Sequence, residues 1–322
     1  MTLTTSNPSR FFRHFGNIEL EGSPAFLEIQ QAYLHENKVS GLIEIQVDTA
    51  RQIILLFAQG VHAGIYLLED DNSKPIHLTD LATVWNGAQT PIRTMELPHT
   101  AGRMVWLALE SQTGQRLEIF ENEEWEHLSK RWKAERFSGL IEVASETQQG
   151  FFYIMDGEAL NSEVVFYGGH GFEANNPYNQ DHKNDARKVI VHKPFPASQA
   201  YQCFVLRQGV LHWGNEILSR YMALVGQKLV RIMQEDIKQL VQPWQWNIFI
   251  ESAVIRDEHF FPYTETATHA YRALFMEMGT QMDLVVGDAL ARRILDETFE
   301  MLNKDTRTAL ELHRLIPAAF SE

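Results

Sequence analysis

A short segment that occurs twice constrains the fold of this chain more than any other feature of its sequence. Residues 40–45 are Ser-Gly-Leu-Ile-Glu-Ile, and residues 138–143 are Ser-Gly-Leu-Ile-Glu-Val. Each copy is followed by an apolar run that ends in a glycine turn, at Gly60 and at Gly157. Because short apolar runs broken by glycine are typical of β-hairpins that face a core, the sequence predicts one β unit used twice.

Helices are predicted in front of both copies of this unit. Ser23 followed by Pro24 is a typical N-cap and first-turn pair, and Trp125, Leu128 and Trp132 lie at helical spacing before the second copy. The order of elements therefore repeats together with the sequence. We expect the glycines that end the two apolar runs to adopt positive φ at turns.

Two more hairpins are predicted outside the repeated segments. Residues 104–110 and 115–121 flank a Gln-Thr-Gly turn, and residues 200–206 and 210–213 flank Gln-Gly. Glycine between apolar runs favours a tight turn, so each pair is interpreted as two antiparallel strands. Cys203 falls in one of these predicted strands.

The charge and composition exclude several classes of function. The chain has 322 residues, with 28 Lys and Arg against 42 Asp and Glu, and a net charge of −14. Nucleic acids and anionic membranes require concentrated cations, so neither is expected as a partner. No window approaches the roughly 20 apolar residues of a membrane helix. The single cysteine cannot form an intrachain disulfide, and the sequence predicts a cytoplasmic protein without a cofactor.

The first copy resembles the PATAN domain, a family of bacterial signalling modules. The resemblance rests on residues 40–45, on Phe-Ala-Gln-Gly-Val-His-Ala at 57–63 and on residues 81–85, which lead to a tryptophan. It covers about residues 17–98, and a second copy at about 124–215 keeps part of the pattern. The resemblance implies a non-catalytic interaction domain that works beside response-regulator, roadblock and small-GTPase systems, and it brings no catalytic residues.

A polar insertion at about 166–193 interrupts the second copy and holds the densest group of potential ligands. Its candidate metal or ligand residues are His170, Asp181, His182 and Asp185. Their spacing matches neither a helical metal pair nor a zinc finger. A mobile surface loop rich in Gly, Asn and Pro is the preferred interpretation, and a ligand site is the alternative.

The C-terminal region changes to a helical period. A broad apolar stripe along 216–241 and a second one along 283–303 are expected to pack together, with Gly226 and Gly287 inside the helices, allowing close approach within the chain or between subunits. Since the stripes are wider than one helix contact needs, a homodimer could cover the excess. The candidate interaction residues are Leu218, Tyr221, Val225, Leu229, Leu284 and Leu290.

The sequence therefore predicts an α+β protein made of two repeated helix-plus-antiparallel-sheet units, followed by a mainly helical C-terminal region with a short strand pair. The predicted divisions are a tail at 1–16, the repeats at 17–122 and 123–215, and the C-terminal domain at 216–322. The expected function is a non-catalytic protein–protein interaction module of a bacterial signalling or regulatory pathway. The alternative is an enzyme, or a sensor of a small ligand or metal, with its site at the insertion.

Overall fold

The structure, a computed structural model, describes residues 20–69, 72–85, 90–118, 122–144, 149–168, 171–173 and 188–320. The chain divides into two compact units, Met1–Tyr201 and Gln202–Glu322. The predicted α+β class is confirmed, since two antiparallel sheets are followed by a mainly helical region with a short strand pair.

The first half of the first unit is built around one antiparallel sheet. Its strands follow the order β1-β6-β2-β3-β4-β5 across the sheet. In chain order the elements are β1 (Leu20–Gly22), α1 (Pro24–Glu36), β2 (Gly41–Gln46), β3 (Arg51–Ala58), β4 (Val61–Glu69), β5 (Asn72–Pro75), α2 (Leu78–Val84), β6 (Thr90–Glu96) and α3 (His99–Glu110).

The second half forms another antiparallel sheet with the same arrangement. Its strands follow the order β7-β12-β8-β9-β10-β11, so each strand corresponds in position to one of the first sheet. The helix before the central strands also has its counterpart. The elements are β7 (Gln112–Glu118), α4 (Asn122–Ala134), β8 (Gly139–Ala144), β9 (Gln149–Met155), β10 (Glu158–Gly168), β11 (Gly171–Glu173) and β12 (Lys188–Lys193).

The two predicted glycine turns have the same conformation. Gly60 has φ 80° and Gly157 has φ 85°, which confirms the expectation of positive φ. The amide of Gly60 donates to the carbonyl of Val39 at 2.9 Å, and the amide of Gly157 donates to that of Phe137 at 2.8 Å. In both halves, therefore, the turn between the third and fourth strands is tied to the third residue after the helix.

One face of each sheet is covered by its own helix. In the first half, Leu27 and Leu34 of α1 pack with the apolar side chains of β2 and β3. In the second half, Leu128 and Trp132 of α4 pack on the corresponding face of β8 and β9. The outer faces of the two sheets are thus buried by equivalent helices.

Helix α3 lies against the opposite faces of both sheets. It contacts β3 and β5 of the first sheet and β8, β9 and β10 of the second, and residues 101–109 are all buried. The prediction that residues 104–110 form a strand is wrong. A helix buried on most sides carries a nearly continuous apolar run, here residues 104–109, which periodicity alone does not distinguish from a buried strand.

The hairpin predicted after this segment is also wrong. Strand β7 belongs to the second sheet, where it pairs with β12 rather than with residues 104–110. Strand β12 in turn pairs with β8, which places part of the predicted insertion inside the sheet. The surface-loop interpretation of 166–193 is therefore wrong for residues 188–193, and also for 166–168 and 171–173, which form paired strands β10 and β11.

The remaining elements are mostly helical. The strand pair predicted at 200–213 is wrong, because these residues, including Cys203, lie inside the long helix α5. The short strand pair predicted in the C-terminal region is confirmed, as β13 and β14 below. The elements are α5 (Gln199–Val225), α6 (Gln227–Val241), a 3-10 turn (Gln242–Trp244), β13 (Ile248–Glu251), β14 (Val254–Asp257), α7 (Thr264–Val286), α8 (Asp288–Met301), α9 (Lys304–Leu312) and a 3-10 turn (Pro317–Phe320).

The core of the second unit surrounds one tryptophan of α5. Trp213 is fully buried, and its ring lies 4.5 Å from that of Phe275 in α7 and 5.0 Å from that of Phe299 in α8. Its indole N–H donates to the hydroxyl of Thr298 at 3.0 Å. The indole thus joins the three helices with both apolar and polar contacts.

Two glycines divide the long helical stretches of this unit. Gly226 has φ 78° and separates α5 from α6, and Gly287 has φ 83° and separates α7 from α8. A Cβ at either position would meet no atom within 4 Å. The prediction that these glycines lie within helices and permit close helix approach is therefore wrong, because each one ends a helix.

Candidate functional site

The predicted ligand residues cannot be compared with the structure. His170, Asp181, His182 and Asp185 all lie outside the described residues. Within the part of the chain that is described, no group of three or more His, Cys, Asp or Glu side chains could hold a metal ion.

A chain of buried polar side chains crosses the second sheet. His192 Nε2 lies 2.9 Å from Glu142 Oε2, and Glu142 Oε1 accepts from the side-chain amide of Gln149 at 3.0 Å. On the other side of the ring, His192 Nδ1 lies 3.0 Å from Ser111 Oγ at the end of α3. The end of helix α3 and strands β8, β9 and β12 each contribute one group. A serine, a histidine and a carboxylate are thus connected in series by hydrogen-bond contacts.

This line of groups lacks the geometry of a nucleophilic serine. The hydroxyl of Ser111 donates to the carbonyl of Ala108 at 2.9 Å. The residue follows the C-terminal end of α3, where helix carbonyls rather than amides are unpaired, so the helix end supplies no donors for an oxyanion.

The hollow beside Ser111 is also small. It is lined by Ser111, His192, Tyr153 and Tyr201 among others and encloses about 220 Å³ including open solvent, whereas ligand pockets measure about 300–1,000 Å³. Both its size and its chemistry indicate that the buried chain holds α3 and the sheet together.

A second buried polar set joins the first sheet to the start of α5. The Tyr66 hydroxyl donates to Glu110 Oε1 at 2.7 Å and accepts from the indole N–H of Trp106 at 2.9 Å. Glu110 Oε2 accepts from the backbone N–H of Ala200 at 2.9 Å, in the first turn of α5. Burial, and next the Glu110 carboxylate, raise the pKa of Tyr66 well above its usual range, so the phenol stays protonated.

The second unit holds a comparable buried set. Asp257 Oδ2 accepts from the Tyr271 hydroxyl at 2.6 Å and lies 3.3 Å from Arg207 Nε, and all three side chains are buried. Burial, and next the Asp257 carboxylate, raise the pKa of Tyr271. The network links the end of β14 to helices α5 and α7, and it offers no face to solvent.

The predicted interaction residues divide into two groups. Leu218 and Tyr221 belong to the core of the second unit, so they cannot form a surface, and that part of the prediction is wrong. Val225 and Leu229 are half-buried, whereas Leu284 is 74% exposed and Leu290 is exposed. Apolar stripes alone did not separate core positions from surface positions.

Exposed apolar residues, including two of the predicted ones, lie near each of the two glycine junctions. Leu224, which is 57% exposed, precedes Gly226, and Leu284 and Val285 precede Gly287, with Leu290 just after it. We call Leu224, Leu284, Val285 and Leu290 the junction residues. Both junctions therefore present apolar side chains to solvent.

A further exposed group follows α6. The rings of Trp244 and Trp246 stack with centroids 5.4 Å apart and an interplanar angle of 11°. His269 of α7 meets both rings edge-on, and Trp244 is 59% exposed. Sequence analysis missed this group, although two tryptophans one residue apart next to a proline were a visible signal.

The chain was compared with protein-family models, curated proteins and solved structures. No protein-family model, curated protein or solved structure matches it. Within the described residues, no helix combines the length and the apolar character that crossing a membrane requires.

Proposed function

We propose that the chain is a non-catalytic protein–protein interaction protein of a bacterial signalling or regulatory pathway, acting in the cytoplasm. The observation that carries the proposal is the exposure of the junction residues. A response regulator or a component of a small-GTPase and roadblock system is the partner class that the PATAN resemblance implies. A second copy of the chain is a further partner of the same kind.

The junction residues are more than scattered surface leucines. Single exposed apolar residues are common on soluble proteins, but grouped ones mark contact sites. Leu284, Val285 and Leu290 lie within seven residues of chain, on either side of Gly287. Covering a leucine side chain fully is worth about 1.5–3 kcal/mol, so a few such residues supply a useful contact.

The buried polar groups described above support the same proposal. The Ser111, Glu110 and Asp257 sets connect secondary-structure elements through short hydrogen bonds. Packing accounts for the roles of these buried groups, and the proposal therefore rests on the exposed apolar positions among the described residues.

Affinity capture with matched variants tests the proposal. The full chain is used as bait in the cells that produce it, as wild type, as Leu284→Glu and as Leu312→Glu. Leu312 is 73% exposed on α9 and serves as the control because it matches Leu284 in exposure. We expect partner proteins that the wild type and the Leu312 variant retain and that the Leu284 variant loses.

The readout is the ratio of each captured protein between the two variants, measured by quantitative mass spectrometry. A set of captured proteins that is identical for both variants would show that the junction residues do not bind partners. Light scattering on the purified variants, done in parallel, separates loss of a partner from loss of a second copy.

A further inference from the structure

The outer face of helix α1 carries exposed apolar side chains. Ile29 is 63% exposed and Tyr33, one helical turn later, is 43% exposed, on the side away from the buried Leu27 and Leu34. Ala32 is exposed beside them. We call Ile29, Ala32 and Tyr33 the outer stripe, which α1 presents in addition to the face that packs on the sheet.

The equivalent helix of the second half has a polar face at the same place. When the two copies are aligned on their Ser-Gly-Leu-Ile-Glu segments, the outer stripe corresponds to three polar residues of α4, His127, Lys130 and Arg131. All three are exposed, and Arg131 pairs with Glu135 at 2.8 Å on the surface. One fold thus carries a solvated face in one copy and an apolar face in the other, which indicates that a further group covers α1.

The edge of the first sheet shows which segment lies close to the outer stripe. In the second sheet the equivalent edge pair, β7 with β12, extends over the full length of β12. In the first sheet β1 pairs with β6 only over residues 90–92, although β6 extends to Glu96. Leu20 lies opposite Ile92, so the same antiparallel register would bring Gly16 opposite Glu96. The chain before β1, which lies outside the described residues, is thus directed towards this end of β6.

This end of β6 adjoins the outer stripe. The Tyr33 hydroxyl donates to the carboxylate of Glu96 at the surface. Residues 10–15, Arg-Phe-Phe-Arg-His-Phe, come directly before Gly16. Six extended residues span up to about 20 Å, and one helical turn is about 5.4 Å, so this segment can reach from Glu96 past Tyr33 to Ile29.

The composition of residues 10–15 matches the surface of α1. The segment has three phenylalanines and two arginines. Helix α1 contains no lysine or arginine, and Glu28 and Glu36 are exposed on it close to the outer stripe. Phenylalanine rings bury about 150–250 Å² each, so they can cover such a stripe, while the arginines face carboxylates of opposite charge.

We propose that residues 10–15 dock on the outer stripe of α1 within the same chain, with phenylalanine rings against Ile29 and Tyr33 and the arginines close to Glu28 and Glu36. The docked segment occupies an apolar surface that would otherwise be open to other proteins. The contact is separate from the junction residues, and it does not rest on the proposed function.

Disulfide trapping in the full chain tests the proposal. Phe12→Cys is combined with Ile29→Cys on α1 or, as the matched control, with His127→Cys at the equivalent position of α4, while the native Cys203 is buried and stays in place. Copper phenanthroline is the oxidant, and peptide mass spectrometry identifies the bond. We expect the α1 pair to form an intrachain disulfide at least about ten times faster, because the bond requires Cα atoms within about 7 Å.

Trypsin cleavage after Arg13 tests the contact without new cysteines. Ile29→His with Tyr33→Gln makes the outer stripe polar, and His127→Ala with Arg131→Ala is the control on α4. We expect the α1 variant to be cleaved after Arg13 about ten times faster than the wild type and the control at the wild-type rate, because proteases cut the undocked state. Thermal unfolding confirms that each variant keeps its fold.

Three results would overturn the proposal. Equal trapping rates for the α1 and α4 pairs would show that the segment has no preference for α1. A disulfide that joins two chains would show that the segment docks on a second copy instead. Cleavage after Arg13 at the wild-type rate in the α1 variant would show that the outer stripe does not hold the segment.

Discussion

The imidazole of His192 contacts the carboxylate of Glu142 across 2.9 Å inside the second sheet, although the two residues are 50 positions apart in the chain. Both side chains are almost fully buried. Each therefore depends on the other, because a buried polar group that loses its partner also fails to regain water.

We expect Glu142→Gln to lower the free energy of unfolding by about 1–3 kcal/mol. The two carboxylate oxygens accept from His192 and from Gln149, and the substitution replaces one of these acceptors with an NH₂ donor. Urea denaturation of the full chain, followed by a spectroscopic signal from the first unit, measures the change in the free energy of unfolding. Glu135→Gln is the control, since Glu135 pairs with Arg131 on the surface. Equal effects of the two substitutions would contradict the structural role of the buried chain.

Gly157→Ala is expected to cost more than about 1 kcal/mol of stability, because alanine tolerates positive φ poorly. Its Cβ would also lie 2.6 Å from the Cα of Lys133. Asp156, one residue earlier in the same turn, has φ 51°, so Asp156→Gly removes strain and is expected to cause no loss. Thermal melts that rank the two variants in the opposite order would refute this account of the turn.

Alkaline pH is expected to destabilise the first unit. Burial raises the pKa of Tyr66 and of Tyr153 far above the unfolded value of about 10, so below that pH both phenols are protonated in the folded and the unfolded chain and contribute no pH dependence. Above about pH 10 only the unfolded chain releases these protons, and the free energy of unfolding falls by about 1.4 kcal/mol per pH unit for each tyrosine.

Urea titrations between about pH 8 and pH 11 measure that slope. Tyr153→Phe is expected to remove one tyrosine's share of the slope, whatever its effect on stability at neutral pH. Tyr263→Phe is the control, because Tyr263 is 45% exposed. A slope above pH 10 that Tyr153→Phe does not change would mean that this phenol ionises in the folded state.

Self-association through the junction residues is expected to appear in light scattering after size exclusion. A homodimer of the full chain at micromolar concentration should dissociate in Leu284→Glu, because a carboxylate cannot enter an apolar contact without a partner. Leu312→Glu should remain a dimer. A wild-type chain that is monomeric throughout would exclude the homodimer and leave a different protein as the partner.

Local signals in the sequence predicted the turns, and the helices that pack against a sheet with one apolar face. The glycines at 60 and 157 and the Ser23–Pro24 start of α1 depend on backbone preferences of neighbouring residues, and all appear as expected. The repeated glutamates, Glu44 and Glu142, lie on faces that are covered, so both are buried. The presence of a second layer over these faces was not visible in the pattern.

Long-range pairing accounts for the main errors. Strand β12 follows its partner β8 by more than forty residues, and its local sequence does not indicate which strand it pairs with. Gly209 was interpreted as a turn, but it lies within α5, where its Cβ position is 3.3 Å from the side chain of Leu310. The sequence shows a glycine in both situations, and only the packing of α9 decides between them.

Helix α3 also governs how the first unit can open. Residues 101–109 are covered by both sheets, so fraying at the ends of the helix exposes none of their amides to solvent. Their hydrogens can exchange with deuterated water only after both sheets have moved away. We expect these amides to be among the slowest to exchange in the first unit, and the two sheets, which share this one helix, to lose their protection together.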